Sequence, residues 1–488
     1  MNWIPLTDAD KERMLRVIGA GSVEELFSAI PEDLKHGQLN LPEGLDEPAV
    51  RGLAETYARG NRTDLISFVG GGYYDHYIPA AVDALTARGE FLTAYTPYQP
   101  ECAQGTLQAI YEFQSAICRL TDMEVANASL YDGGTAVFEA VTMACRATGR
   151  NRVVLDHSLN PRWREMVHTH AANLSLNLND GRDPQDAACV VVQNPAFRGT
   201  LWDYSALAEA CHAAGALLVA VFNPISLAVV KTPGSMGADI AVGEGQPLGI
   251  PLGFGGPYLG LMASRKAFIR KMPGRIAGMT VDHDGRRGFV LTLQAREQHI
   301  RREKANSNIC SNQALCALRA LIYLSLAGPV GLRNVAERCR AGAEWLKKRI
   351  SHVAPCVNDG PTFNEFTVRL PRNAEDVVAD LIPRGYVAGI PLSLVGAGAS
   401  DELLVAVTEK RTLDELEQFA AEVLVGAGLP VEVVVQIHQQ RRVGQQMPRP
   451  RKEQDERGEQ ADRESPEHRP RLRLLAPDEV ERAREPGD

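Results

Sequence analysis

Between Ala126 and Ser264, the sequence alternates short apolar runs with segments of helical periodicity, and no other feature constrains the fold as strongly. The periodicity predicts a helix over 204–214 and strands at 153–155, 189–192, 216–222 and 240–242. Strands that alternate with helices form a largely parallel sheet covered on both faces. We therefore predict an α/β fold.

A glycine-rich loop, from Gly243 to Pro257, lies inside this region between two strand-like runs. Glycine allows sharp turns and close approach of the backbone to another group. Loops held on a rigid scaffold commonly bind or catalyse. The loop, and Gln246 within it, is therefore a candidate functional site.

Two further loops carry polar and aromatic groups. The stretch Phe68–Pro79 contains three consecutive glycines, then tyrosines and His76, and a turn with packed tyrosines explains it as well as a binding loop does. In the second loop two prolines forbid a helix, so hydroxyl, amide and carboxylate groups lie on an extended segment. These candidate pocket residues are Tyr95, Thr96, Tyr98, Gln99 and Glu101. An amphipathic helix over 107–120 follows and should anchor the second loop.

Helix starts and charge runs add weaker candidates. Tyr131–Ala136 opens a helix that runs to about Ala147, where free N–H groups could face an anion or simply receive an N-cap. The cations of Arg286–Lys304 form either a solvated face or a surface that orients the substrate or an acidic partner. Asn306–Asn308 follows, and then a helix over 314–326 that Gly328 and Pro329 interrupt.

Composition excludes several classes of function. The net charge of the 488 residues is -9, and no basic stripe is present, so we expect neither nucleic acid nor an anionic membrane surface as partner. The nine cysteines are scattered and odd in number, which fits a reducing cytoplasm. The N-terminus has no signal-peptide pattern, and the longest apolar run, 215–230, is too short to span a membrane. We predict no metal site.

Changes in pattern predict four segments. These are an N-terminal helical segment at 1–60, a large domain at 61–328, a small α/β domain at 329–435 and a charged tail at 436–488. Residues 441–488 hold twelve Lys or Arg and twelve Asp or Glu with few aliphatic residues. Such a segment cannot bury enough apolar surface to offset its ordering entropy, so we expect a disordered tail.

The motifs resemble the P-protein family of the glycine cleavage system, glycine dehydrogenase (decarboxylating). Within it they are most similar to subunit 1, the half that lacks the cofactor lysine in bacteria with a split enzyme. The resemblance covers the chain to about residue 425, and its strongest stretches are 68–79, 95–107, 127–135, 243–260 and 288–315. It implies the fold-type-I architecture of pyridoxal 5'-phosphate (PLP) enzymes, a large mixed, mostly parallel sheet domain followed by a smaller C-terminal α/β domain.

The same resemblance places the cofactor lysine of the family at Gln246. An amide nitrogen is not nucleophilic, so Gln246 cannot form the Schiff base that PLP enzymes require. The family's aspartate beside the pyridine nitrogen falls at the strand end Phe222–Pro224, where this chain has Asn223. Both changes imply a degenerate cofactor site with no catalytic residue in this chain alone.

We therefore expect the non-lysine subunit of a cytoplasmic, heteromeric glycine decarboxylase, a heterodimer or heterotetramer. The resemblance implies a PLP-bearing homologous P-protein subunit 2, a lipoylated H-protein and glycine as its partners. His76 and the loop 95–101 would line the substrate pocket, and Asn306, Ser307 and Asn308 would reach the cofactor phosphate across the interface.

Two alternatives stay open at this point. One is a self-sufficient PLP lyase that uses an unrecognised lysine, with Lys231, Lys266, Lys271, Lys347 and Lys348 to be weighed as candidates. The other is a catalytically silent scaffold that only stabilises its partner.

Overall fold

A computed structural model describes residues 5–35, 40–351, 353–426 and 428, so the predicted tail at 436–488 lies outside the described residues. The chain divides into two compact units, Met1–Thr63 and Asp64–Asp488. The first unit contains helices α1 (Asp8–Ile18) and α2 (Glu47–Arg59). Side chains cap both helices. Thr7 and Asp10 form a capping box at the start of α1, and Asp46 caps the start of α2.

The second unit holds the remaining helices and all the described strands. Its helices are α3 (Ala80–Thr86), α4 (Gly89–Leu92), α5 (Gln104–Thr121), α6 (Gly133–Thr148), α7 (Pro161–Ala171), α8 (Ser205–Ala213), α9 (Gln298–Arg301), α10 (Ala314–Ile350), α11 (Ala374–Leu381) and α12 (Leu413–Gly426). Its strands are β1 (Ile66–Ser67), β2 (Val125–Ala126), β3 (Arg152–Leu155), β4 (Asn177–Asp180), β5 (Ala187–Asn194), β6 (Leu217–Phe222), β7 (Ile240–Glu244), β8 (Gly260–Ser264), β9 (Ile276–Val281), β10 (Arg287–Thr292), β11 (Glu365–Arg369), β12 (Tyr386–Val387), β13 (Ile390–Pro391) and β14 (Glu402–Ala406).

A seven-stranded sheet in the order β2-β8-β7-β6-β5-β3-β4 forms the centre of this unit. Its strands from β4 to β7 run parallel, whereas β8 is antiparallel to β7 and β2 is antiparallel to β8. The predicted mixed, mostly parallel sheet is therefore confirmed. The four predicted strands correspond to β3, β5, β6 and β7 with small differences at their ends, whereas β2 and β4 were not predicted.

Strand β5 shows why these segments are apolar throughout. Val190 and Val192 pack into a core with α5, α8 and α10. Cys189 and Val191 point to the opposite face and pack with α6 and α7. Successive side chains of a strand alternate between faces, so a sheet covered on both sides needs apolar residues at every position.

A smaller sheet, β11-β14-β13, follows toward the C-terminus. Its apolar face packs with the second half of α10 and with α11 and α12, including Leu346, Phe419 and Val423. Phe68 joins this core and stacks on Phe419 with ring centroids 3.6 Å apart, directly after β1 pairs in parallel with β12. The loop that begins at Phe68 is thereby attached to the smaller sheet.

Helix α10 contains the predicted break, because Gly328 has non-helical angles (φ 58°, ψ -175°) just before Pro329. Among the described helices, α10 is the one long and apolar enough, by length and composition, to cross a membrane. Its Ala317, Ala320 and Tyr323 are buried in the main core. A core helix meets the same criteria, so α10 is explained by its packing.

Candidate functional site

Gln246 lies in the buried first half of the glycine-rich loop that joins β7 to β8. Its side chain is paired with the backbone of Tyr74, from which it accepts a hydrogen bond (Tyr74 N to Oε1, 2.8 Å) and to which it donates one (Nε2 to Tyr74 O, 3.0 Å). Nε2 also donates to Ile250 O at 2.8 Å. Residues 241–250 are buried, whereas the second half of the loop is open and leaves Phe254 99% exposed. Only the first half of the loop is therefore part of an interior site.

Glu244, at the end of β7, fills the anion position at the start of α6. Its carboxylate accepts hydrogen bonds from Gly133 N (2.8 Å), Gln246 N (2.9 Å) and Leu259 N (3.1 Å). Complete burial raises the pKa of Glu244 to about 8, although the three N–H groups act in the opposite direction. A Cβ atom on Gly133 would lie 2.7 Å from the indole of Trp163, so the helix start is also covered. The N–H group of Gly133, which could have faced an anion, is instead bound by the carboxylate of Glu244.

A second buried carboxylate, Glu365 of β11, closes the same region from the opposite side. It accepts hydrogen bonds from Gly71 N and from the hydroxyl of Tyr74, both at 2.6 Å. Burial raises the pKa of Glu365 to about 7. A Cβ atom on Gly70 would lie 2.1 Å from Glu365 Oε1, which explains why the loop carries glycine there.

Asn223 follows β6, at the strand end where the sequence places it. Its Oδ1 accepts hydrogen bonds from Ile225 N (3.0 Å) and Ser226 N (3.3 Å), an arrangement that shapes the turn after the strand. The cavity left between Asn223, Glu244 and Glu365 measures about 20 Å³. A cavity of roughly 10–15 Å³ by this measure holds one water molecule, so this space has room for about one water and is far too small for an aromatic cofactor.

The residues around Gln246 consequently do not fit PLP. The lining of the remaining cavity contains no lysine among the described residues. The two buried carboxylates would repel a phosphate when they are ionised, and Gln246 holds the loop 70–79 closed over the site.

The loop 95–101 forms a different kind of site. The Tyr98 hydroxyl accepts a hydrogen bond from Arg275 Nη2 at 3.2 Å, and the guanidinium lies 5.6 Å from the centroid of the Tyr98 ring. His299 meets the same ring edge-on at 5.6 Å. Glu297 Oε2 lies 3.8 Å from both Arg275 Nε and His299 Nδ1. We call Tyr98, Arg275, Glu297 and His299 the Tyr98 cluster.

The Tyr98 cluster combines a buried charge pair with exposed rings. The side chains of Arg275 and Glu297 are 3% and 7% exposed, and Arg275 Nε and Glu297 Oε1 are buried without hydrogen-bond partners. Tyr98 is 47% exposed, and the His299 side chain is 43% exposed. The cluster therefore leaves the rings of Tyr98 and His299 partly open to solvent, while a buried charge pair holds them from the interior.

The other predicted residues of this loop are open to solvent or turn-forming. Tyr95 is 74% exposed, and Gln99 and Glu101 are exposed as well. The carbonyl oxygen of half-buried Thr96 accepts a hydrogen bond from Tyr98 N at 2.9 Å. Gln104, in the first turn of α5, donates to the carbonyl oxygen of Pro100 at 2.7 Å and to that of Phe289 at 2.9 Å. The predicted anchoring of a stiff loop on a packed helix is confirmed.

The segment Asn306–Asn308 leads to Cys310, which contacts the Tyr98 cluster. Arg275 Nη2, which bonds Tyr98, also donates to the carbonyl oxygen of Cys310 at 2.6 Å. Asn306 donates to Arg270 O at 3.0 Å, and Ser307 Oγ accepts from Ile309 N at 3.0 Å. The guanidinium of Arg275 thus joins the loop 95–101 to Cys310, two residues after Asn308.

His76 belongs to another network. Its Nδ1 lies 2.7 Å from Glu409 Oε2, and Cys339 Sγ donates to the same oxygen at 3.3 Å. Burial is the largest influence and acts to raise the pKa of Glu409, but the hydrogen bond with His76, the charge of His76 and the N–H of Tyr77 together outweigh burial and lower the pKa to about 2. These three residues have the composition of a metal site, but their hydrogen bonds already account for the geometry. A cavity of about 710 Å³ borders the network at Tyr77 and Glu409.

The cations of 286–304 do not behave alike. Arg286 is exposed and lies near Asp284, as expected for a solvated face. Arg296, by contrast, is an internal residue that donates to the carbonyl oxygens of Leu293, Met272 and Gly274. A solvated face is therefore the wrong interpretation for Arg296, because its guanidinium joins two backbone segments, 272–274 and the one that contains Leu293.

Sequence reasoning missed the charged residues that complete both sites: Glu244, Glu365, Arg275 and Glu297. Glu244 could have been recognised, since a carboxylate at the end of an apolar strand and two positions before Gln246 must find buried partners. The other three are brought to their sites by contacts between distant parts of the chain.

Comparison with solved structures defines the class of fold. The chain shares its architecture with cysteine desulfurase from Thermococcus onnurineus (14% identity, TM-score 0.56, covering 76% of this chain and 95% of that one). It also shares it with glutamate decarboxylase from Lactobacillus brevis (12% identity, TM-score 0.59, 82% and 96%). The predicted fold-type-I architecture of PLP-dependent enzymes is confirmed.

The chain belongs to the family described as glycine cleavage system P-protein, whose profile matches residues 1–423. It is 52% identical over 436 residues to the probable glycine dehydrogenase (decarboxylating) subunit 1 of Geotalea daltonii, covering 86% of this chain and 98% of that protein. The corresponding protein of Nitratidesulfovibrio vulgaris strain Miyazaki F is also 52% identical, over 433 residues, 85% of this chain and 98% of that protein. A solved glycine decarboxylase (P-protein) of the glycine cleavage system, in inhibitor-bound form, is 43% identical with a TM-score of 0.82, covering 87% of this chain and all of that one. The resemblance inferred from the motifs is confirmed.

Proposed function

We propose that this chain is the subunit of a heteromeric glycine decarboxylase that does not carry PLP, acting beside a PLP-bearing homologous P-protein subunit 2. The observation that carries the proposal is the interior around Gln246, which this chain's own side chains fill. The names of the relatives, subunit 1 of glycine dehydrogenase (decarboxylating), support a division of labour between two chains. In such a pair the PLP of the partner would supply the electron sink for loss of carbon dioxide from glycine.

This chain would contribute a wall to the partner's pocket. The hydroxyl of Tyr98, oriented by Arg275, and the imidazole of His299 can orient a small polar substrate, and the rings can exclude water from it. Arg275 and Glu297 keep both groups in place from the interior. The aminomethyl group would then pass to the lipoyl arm of an H-protein that docks on the assembly.

The test is exchange of labelled bicarbonate into the carboxyl group of glycine, measured with H-protein present. We expect no exchange with this chain alone and full exchange when it is mixed with the homologous subunit. Full activity in either subunit alone would contradict the proposal.

A self-sufficient PLP lyase is the alternative, and a second measurement tests it. The candidate Lys231 is paired with Asp203 (2.5 Å) at the surface, and Lys347 donates to Glu344 and to Thr362 Oγ1. Purified chain incubated with PLP should therefore show no absorbance band of a lysine-bound cofactor. Reduction with borohydride should leave no PLP covalently attached to a lysine. One specifically labelled lysine would establish the alternative.

A further inference from the structure

A cleft of about 430 Å³ lies between α6, α7 and the segment 305–309, on the opposite side of α6 from the main sheet contacts. Thr135, Glu139, Thr142 and Arg146 line it as one stripe of α6, because residues three, four and seven apart share a helix face. The size is within the range of small-molecule sites in proteins, which runs from roughly 300 to 1,000 Å³.

Two charged groups in this cleft have buried atoms without hydrogen-bond partners. Glu139 is 5% exposed, and its Oε2 is buried without a partner. Arg146 has two such atoms, Nε and Nη2. Burial raises the pKa of Glu139 and lowers that of Arg146, the directions expected when neither charge is adequately solvated. Leaving such groups unpaired costs free energy that a complementary ligand would recover.

The remaining lining is mostly apolar. Phe138 stacks on His170 with centroids 4.6 Å apart, and Met166, Leu174 and Ile309 add apolar surface beside the polar segment Asn306–Asn308. Ser307 lies beside Glu139, where its hydroxyl acts as a hydrogen-bond partner of the carboxyl group. The cleft thus offers one cation, one carboxyl group and an apolar surface between two helices.

We propose that this cleft binds a small α-amino acid with an apolar side chain. Its carboxylate would accept hydrogen bonds from Arg146, its ammonium group would donate to Glu139, and its side chain would lie against Phe138 and Met166. A simple anion satisfies only Arg146, and a simple amine satisfies only Glu139, whereas an α-amino acid carries both groups within reach of one helix face. The site is separate from the filled interior around Gln246 and from the Tyr98 cluster, so the proposal does not depend on the decarboxylase role.

The experiment titrates L-leucine into the full chain, and into its complex with the homologous subunit, by isothermal calorimetry. The probes 4-methylpentanoate and L-leucinamide keep the side chain but lack the ammonium group or the carboxylate. Each probe should bind about tenfold more weakly than leucine or worse, because each loses a hydrogen bond to a charged group. No heat with leucine in either sample, or equal affinity for 4-methylpentanoate, would overturn the assignment.

Variants locate the site. Glu139→Gln should weaken the binding of leucine and leave the affinity for 4-methylpentanoate unchanged. Arg146→Gln should weaken the binding of leucine and leave the affinity for leucinamide unchanged. The matched controls are Glu112→Gln and Arg119→Gln, which have the same seven-residue spacing on the exposed face of α5. Equal weakening by the controls would refute the site, and the probe series on the unmodified chain decides the question if a variant fails to fold.

Discussion

The sequence around Gln246 and the sequence around Tyr98 both resemble active-site loops, yet the structure treats them in opposite ways. The side chains of Gln246, Glu244 and Glu365 are hydrogen-bonded to backbone groups of the same chain and, for Glu365, also to the Tyr74 hydroxyl, and only about 20 Å³ remains open. In the Tyr98 cluster, by contrast, two polar atoms remain unpaired and two rings reach solvent. A site whose hydrogen-bonding capacity is used internally stabilises the fold, whereas one with capacity left over can act on a neighbour.

The largest effect is expected when a lysine replaces Gln246, the position at which the family carries its cofactor lysine. Gln246→Lys removes the acceptor for Tyr74 N–H and places an amine in a space without room for it. We expect a loss of about 3 kcal/mol in the free energy of unfolding, the scale of a buried unpaired polar or charged group. Urea unfolding measures the loss, and a PLP titration should show no lysine-bound cofactor.

A matched control for that variant is Gln108→Lys on α5, where the side chain meets Glu112 at the surface. It should change stability by less than about 0.5 kcal/mol. If Gln246→Lys were as stable as the control and bound PLP, the interior would be an available cofactor site and the contrast with Tyr98 would disappear.

The next test addresses the Tyr98 cluster. Tyr98→Phe keeps the ring between Arg275 and His299 but removes the hydroxyl that accepts from Arg275. We expect glycine–bicarbonate exchange by the two-subunit enzyme to fall about 10- to 100-fold, the cost of a misplaced substrate. Size-exclusion chromatography should show unchanged assembly.

Tyr111→Phe is the corresponding control, since that ring packs on Phe289 of β10, the strand that pairs with β9. Exchange should remain at the unmodified rate. Normal exchange by Tyr98→Phe with normal assembly would favour the silent scaffold over a chain that contributes to the pocket.

A smaller effect should distinguish the two regions by pH. The pKa of Glu244 is raised to about 8 in the folded chain, so the folded state holds this proton more tightly than the unfolded state. That contribution to stability is complete below the ordinary pKa of a glutamate, about 4.3, and is lost as pH rises through about 8. Glu244→Gln should flatten this decline between about pH 5 and 8, measured by urea unfolding at several pH values, while Glu112→Gln should leave it unchanged. An undiminished decline in Glu244→Gln would assign it to other groups.

The periodic part of the fold could be predicted from the sequence because strand and helix patterns are local. The sheet strands and the break at Gly328 follow from spacing and from proline chemistry alone. The position of Gln246 also followed, but its partner Tyr74 lies 172 positions away.

The remaining parts of the sites depend on long-range contacts that no local pattern encodes. Tyr74 and Glu365 are separated by 291 positions, and Tyr98 and Arg275 by 177. Arg296 resembles its neighbours in a run of cations, yet only the folded backbone places three carbonyl oxygens around it.

The smallest effect is expected at Lys231, which tests whether any lysine outside the two regions matters. Its side chain is 66% exposed and pairs with Asp203, and exposed ion pairs contribute about 0 to 1 kcal/mol. Lys231→Gln should therefore shift the free energy of unfolding by less than about 1 kcal/mol and leave exchange by the two-subunit enzyme unchanged. A large loss of exchange with intact folding would mean that a surface amine takes part in the chemistry. The distinction between a filled interior and an available Tyr98 cluster would then no longer explain where this chain acts.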